Sequence, residues 1–195
     1  MQLFNDALHF AIECHSGQVR KMSPAPYIIH PLEVSTIVAT MTCDEEILAA
    51  AVLHDTVEDA GVKLDDIENR FGHRVRMLVM TETEDKREDR PAAETWRQRK
   101  EETLLILRHT KDIGVKMLWL GDKLSNMRSF YRLYLKTGNE LWKNFNQKNP
   151  EEQLWYYNTI SDYLSELKDY DAYKEFINLK NIVFESVNGG VTHDF

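Results

Sequence analysis

Residues 49–61 read AAAVLHDTVEDAG, an apolar run that ends in four ionisable side chains. A helix carried through Leu53 sets His54 and Glu58 on one face at i and i+4, with Asp55 and Asp59 repeating that relation one residue along. One apolar helix thus presents an imidazole and three carboxylates within about two turns. Like charges on one stripe repel unless protons or a cation compensate them, and a divalent metal is the economical answer. Adjacent His54 and Asp55 project about 100° apart, so both reach one ion only at a helix edge or end, with other segments supplying the remaining ligands.

Outward from this stretch the apolar period stays helical. Leu3, Ala7, Ala11 and Cys14 open the chain, and Leu32, Ser35, Ile37, Val38 and Met41 continue it. Leu64, Ile67 and Phe71 predict a short helix closed by Gly72, with Val75, Leu78 and Val79 following. Residues 94–109 and 113–135 hold longer patterns, and two more helices follow Pro150, which suits a first helical turn. The expectation is an all-α single domain of about eight to ten helices over residues 1–188, with at most one short hairpin near residues 20–29. Residues 189–195, opening on Gly189-Gly190, read as a flexible tail. The polar stretches 81–94 and 136–150 read as solvated surface loops, and no repeat of solenoid length is present.

A chain of 195 residues with 43% hydrophobic and 29% charged residues has enough length for a core without disulfide or metal staples. Cys14 and Cys43 stand far apart and outside any C-x-x-C pattern, which excludes zinc ribbons and disulfide scaffolds and favours a reducing cytoplasm. The first residues carry Asp6 and Glu13 and lack a basic region, so neither a signal peptide nor a membrane helix is expected. A net charge of −8 argues against a nucleic-acid polymer as ligand, whereas a small anion needs only a few local cations. Trp142 and Phe145, read as exposed aromatics, permit a homo-oligomer without demanding one.

Two further segments bear on the ligand question. In PYIIHP, His30 stands just before Pro31, a good residue to open a helix, so its imidazole would sit at a rigid corner. In LWLGDKLSNMRS, Asp122 lies among Trp119, Leu120 and Leu124 with Asn126 at i+4, where a carboxylate needs a partner. His193-Asp194 repeats the His-Asp dipeptide in a tail without periodicity and reads as chance. His30, His54, Asp55 and Asp122 form a nitrogen and oxygen donor set suited to manganese, iron or zinc. Water on such an ion loses its proton readily, and Glu58 or Asp59 is placed to take it, which is the chemistry of phosphoester or phosphoanhydride hydrolysis.

In GQVRK at 17–21, PYIIHP at 26–31, HDTVED at 54–59, LDDIENRFG at 64–72 and DKLSNMR at 122–128, the chain resembles the HD-domain metal-dependent phosphohydrolases. Within them it is similar to the small alarmone hydrolases related to the hydrolase half of RelA/SpoT enzymes. The resemblance implies an HD-type helical bundle that removes the 3′-pyrophosphate of guanosine tetra- or pentaphosphate (ppGpp, pppGpp), usually with Mn2+ or another divalent transition metal. It carries the ligand roles onto His30, His54, Asp55 and Asp122, and the water-activating roles onto Glu58 and Asp59. It places Arg20 and Lys21 on the purine, Asn126 on the nucleoside, and Lys86, Arg99, Lys100 and Tyr156 along the phosphates and sugar. The match is loosest over RPAAETWRQRKEE at 90–102. A stand-alone degrader is expected, since the chain after His54 is too short for a nucleotide pyrophosphokinase domain as well. The competing readings are a nucleotide phosphatase of the same type and a non-catalytic nucleotide-binding domain.

Overall fold

The computed structural model describes residues 2–20, 24–87 and 89–187. Lys21 and the tail at 189–195, with its His193-Asp194 pair, lie outside the described residues. Among those described, ten α-helices succeed one another: α1 Gln2–Cys14, α2 Ile29–Val38, α3 Glu45–Leu53, α4 Thr56–Ala60, α5 Leu64–Phe71, α6 His73–Glu82, α7 Ala92–His109, α8 Ile113–Thr137, α9 Pro150–Tyr163 and α10 Asp171–Val183. Two short 3-10 turns, Gly138–Asn144 and Ser165–Leu167, connect the last three. The hairpin reduces to a single antiparallel bridge between Val19 and Pro26.

Helix α3 is the centre of the bundle. Ile47, Ala49, Ala50, Ala51, Val52 and Leu53 are all buried, so this helix is apolar on every side because α1, α2, α6 and α8 enclose it. Its alanines let Ala7 and Ala11 of α1 approach closely. Asp44 caps its N-terminus by accepting the Glu46 N–H, as Asp112 does for α8 and Asn149 for α9.

Helix α8, about 37 Å long at the usual rise, is the second pillar and is buried almost continuously from Gly114 to Ser125. Gly121 allows it to meet α2, since a Cβ there would stand 2.7 Å from Val38 Cγ2. That close approach brings Asp122, the next residue, within reach of His30 on α2.

Three expectations need correction. First, no continuous helix joins His54 to Glu58. Helix α3 ends at Leu53, His54 and Asp55 form a turn, and α4 begins at Thr56. Gly61 then closes α4 in the left-handed region with φ +70°. Second, α2 begins at Ile29 rather than at Pro31, so His30 and Pro31 lie within its first turn, where a missing N–H costs nothing. Third, Trp142 and Phe145 are not exposed. Trp142 is buried against Phe184, and Phe145 packs on Phe130, because the 3-10 turn folds back over α8 and α10; the aromatic argument for a homo-oligomer goes with them. None of the described helices is long and apolar enough to cross a membrane.

Candidate metal centre and substrate cavity

The break between α3 and α4 is what allows two adjacent residues to face one point. His54, held at the end of α3, is buried, and its Nδ1 lies 2.9 Å from the Ala51 carbonyl oxygen, which can only accept, so Nδ1–H donates the hydrogen bond. This fixes the tautomer and leaves Nε2 as a lone-pair donor, and that atom is buried with no hydrogen-bond partner among the described residues. His30 is set the same way: its Nδ1 meets Ser125 Oγ at 2.8 Å, and the Ser125 hydroxyl donates a hydrogen bond to Glu33 Oε2 at 2.7 Å. Arg128 then ties Glu33 to Glu175 of α10.

The free sides of these two rings converge. His30 Nε2 lies 3.0 Å from Asp122 Oδ1 and 3.5 Å from Asp55 Oδ2, and His54 Nε2 lies 3.7 and 3.2 Å from the same two atoms. Ligand atoms of His30, His54 and Asp122 all fall within 4.8 Å of one another. Two imidazoles and two carboxylates without a thiolate, around an orphaned buried nitrogen, fit a divalent ion of borderline to hard character. Burial pushes His30 below its ordinary pKa, whereas at His54 burial is outweighed by Asp55 and Asp122, which raise it well above the usual histidine range, so that a bound ion would take the place of a proton on its Nε2. Asp122 is held well below the carboxylate range because Lys123 and both imidazoles outweigh its burial.

Above this cluster opens a cavity of about 900 Å³. His30, Asp55 and Asp122 line its floor, and Arg20, Glu58, Asp59, Lys86, Arg99, Lys100, Asn126 and Tyr156 line its walls. His54 lies beneath the floor. Of the residues picked from the sequence, those within the described segments are therefore gathered in one place. The stretches expected to be solvated loops form much of that wall, through Glu84, Lys86 and Arg90 on one side and Asn144 to Gln147 on the other. Charge-dense and polar composition implies solvation on its own, whereas here these side chains line a polar cavity.

Glu58 stands on α4 with Oε2 accepting the Glu84 N–H at 3.1 Å. Burial, then Asp55 and Glu84, push its carboxyl up to about 7. Asp59 is differently placed, accepting from Lys86 Nζ and from Tyr27 Oη at 2.6 Å each. The same Tyr27 hydroxyl lies 2.7 Å from Asp55 Oδ2, and burial with these two carboxylates holds the phenol protonated far above its ordinary range. Asn126 donates to Asp122 Oδ1 at 2.7 Å and accepts from Arg20 at 3.2 Å, while the Arg20 guanidinium lies 5.6 Å from the Tyr27 ring centre.

The rim cations are not free. Arg99 and Lys100 share the half-buried carboxylate of Glu84, with Arg99 Nη1 at 2.7 Å and the Lys100 ammonium in close contact. Lys100 also lies 5.0 Å from the centre of the buried Tyr156 ring. Sequence reasoning missed Tyr27, Glu33, Glu82, Glu84, Lys123 and Ser125. For Tyr27 a signal existed, because it precedes His30 by three residues in PYIIHP and so sits one turn before it.

A family model described as HD domain matches residues 7–145. The guanosine-3′,5′-bis(diphosphate) 3′-pyrophosphohydrolase of Aquifex aeolicus is 39% identical over 127 residues, covering 64% of this chain and 17% of that protein. A GTP pyrophosphokinase of Streptomyces coelicolor is 41% identical over 131 residues, covering 67% of this chain and 15% of that protein. The chain thus spans about a sixth of the length of these curated relatives. Among solved structures, a metazoan orthologue of SpoT described as hydrolysing ppGpp superposes with a TM-score of 0.71 at 26% identity, covering 96% of each chain. The matched segment runs from α1 through the 3-10 turn after α8 and includes the His54-Asp55 break with His30 and Asp122, more than half of the sequence, and on that match the chain belongs to the HD domain family.

Proposed function

We propose that this chain is a metal-dependent hydrolase that removes the 3′-pyrophosphate of guanosine tetra- and pentaphosphate, leaving guanosine 5′-di- or triphosphate and pyrophosphate. One observation carries the reading: a buried nitrogen and oxygen donor set forms the floor of a cavity whose wall holds Lys86, Arg99 and Lys100. The relatives' names and the metazoan hydrolase with the same fold support the guanine alarmone as substrate.

His30, His54, Asp55 and Asp122 would hold the ion, taken to be manganese, which when bound supplies Lewis-acid polarisation of a phosphoryl oxygen and an acidified water. The protein's own groups do the rest. Glu58, with a pKa of about 7, is matched to accept a proton from the attacking water near neutral pH through Oε1. The water oxygen bonds to the 3′-phosphorus, the phosphorus to O3′ bond breaks, and the proton passes from Glu58 to O3′. Asp59, expected beside Glu58 as a water-activating group, has its two oxygens engaged by Lys86 and Tyr27 and is assigned instead to orienting these neighbours. Lys86, Arg99 and Lys100 offset phosphate charge. Arg20 stacks on the purine, Lys21 serves the same purine side, Asn126 contacts the nucleoside and Tyr156 lines the sugar side.

Residues 1–188 are taken as one hydrolase domain, and the free Cys14 and Cys43 fit a reducing cytoplasm. The test is direct. Protein loaded with Mn2+ is incubated with guanine and adenine nucleotides, and pyrophosphate and orthophosphate release are measured. Pyrophosphate from guanosine tetraphosphate is expected. Faster orthophosphate release from ordinary nucleoside monophosphates would replace this reading with a nucleotidase, and binding without turnover would make the chain a nucleotide-binding domain.

A further inference from the structure

The buried ammonium of Lys123 stands where a metal site least tolerates a cation. It follows Asp122 on α8, is enclosed by its surroundings, and donates to Asp122 Oδ2, so one oxygen of that carboxylate is already claimed while Oδ1 faces His30 Nε2 at 3.0 Å. Such a cation drains charge from the carboxylate and repels any divalent ion that the same carboxylate holds. The ring of Trp119 lies 4.5 Å from Lys123 Nζ and blocks retreat on that side.

Across from α8, the last residue of α6 answers this charge. Glu82 accepts from Lys123 Nζ through Oε2 at 3.1 Å. Its other oxygen, Oε1, is buried and has no hydrogen-bond partner among the described residues, although Glu82 lines the cavity that holds Asp122. A buried carboxylate with half its acceptors unused is costly to fold, so its retention needs a reason beyond packing.

We propose that Glu82 is a positioning residue for the metal: by sharing the buried Lys123 ammonium it offsets the positive charge beside Asp122 and so lets that carboxylate hold a divalent ion. The inference rests on the reading of His30, His54, Asp55 and Asp122 as the metal cradle. It is independent of which nucleotide is cleaved.

The whole chain, stripped of metal, is titrated with Mn2+ by calorimetry, with circular dichroism reporting the fold of each variant. Glu82→Gln is expected to weaken Mn2+ binding by about ten- to a hundredfold, the usual cost of removing a residue that orients a ligand. Glu82→Asp, which keeps the charge, should stay much nearer the wild type. Lys123→Met placed in the Glu82→Gln background should recover most of the lost affinity, because the competing cation is gone. Unchanged affinity in Glu82→Gln overturns the proposal, and so does a double variant as weak as the single one, since Glu82 would then act without Lys123. Should Glu82→Gln fail to fold, Lys123→Met alone carries the test. It should bind Mn2+ more tightly than the wild type, and equal or weaker binding overturns the proposal. Metal binding is read without nucleotide, so a failure to cleave guanosine tetraphosphate leaves this test intact, whereas a wild type that binds no Mn2+ removes the cradle itself.

Discussion

At and just beneath the floor of the cavity, His30 Nε2, His54 Nε2 and Asp122 Oδ1 converge from three helical segments; at the rim, Arg99 and Lys100 both hold Glu84, and Lys86 holds Asp59. The floor atoms are buried and set by second partners, Ala51, Ser125 and Asn126, so their free lone pairs are preorganised. The rim cations are satisfied by protein carboxylates, so on the proposed function they would exchange those partners for a phosphate. A preorganised site loses nearly everything with one residue, whereas an exchangeable one shifts by the difference between two ion pairs.

The largest effect should therefore come from the floor. Asp122→Ala is expected to abolish both Mn2+ binding and pyrophosphate release while the helical circular dichroism signal stays, and a variant that still binds Mn2+ as tightly as the wild type would remove Asp122 from the cradle. Glu58→Gln, one step up the wall, should lower kcat by about a hundredfold with Mn2+ affinity unchanged, which separates proton transfer from ligation. A loss of metal affinity in that variant would reassign Glu58 to the floor.

The same residue makes a prediction about the metal-free protein. Glu58 titrates near 7 in the folded chain and near 4.5 when unfolded, so between those values the folded state holds the extra proton and stability falls as pH rises. Above pH 7 the ionised carboxylate costs up to about 3 kcal/mol. Denaturant melts of metal-free protein should show Glu58→Gln gaining stability over wild type at pH 8 and losing that advantage by pH 4. An advantage independent of pH would show that burial does not shift this carboxyl.

The smallest effect belongs to the rim. Glu84→Gln frees Arg99 and Lys100 from their internal anion, so the KM for guanosine tetraphosphate should fall by about two- to fivefold, and more so at low salt. A rise in KM would mean that Glu84 holds the cations in place for substrate instead of competing with it, and would erase the contrast with the floor.

Periodicity was enough to read the helices, because each buries a stripe whose spacing is local: Leu64, Ile67 and Phe71 with Gly72 correspond to α5, and Pro150 opens α9. The convergence of His30, His54, Asp55 and Asp122 was legible as well, since a histidine or carboxylate in an apolar helix is costly unless something holds it. Asp122 among Trp119, Leu120 and Leu124 announced itself in this way. The break after Leu53 was not legible, because the turn at His54 and Asp55 has nearly helical backbone angles and leaves no mark in the apolar period.

Partners across the chain lay further out of reach. Nothing local distinguishes Glu84, which clamps two cations inside a cavity, from the other acidic residues of TETEDKRED, and nothing marks Ser125 as the group that orients His30 from 95 residues away. Sequence spacing specifies which residues share a helical face, because that geometry repeats every turn. Which charges end up buried together depends on how closely helices approach, and here that approach is set at Gly121, where only the lack of a side chain lets α8 lie against α2.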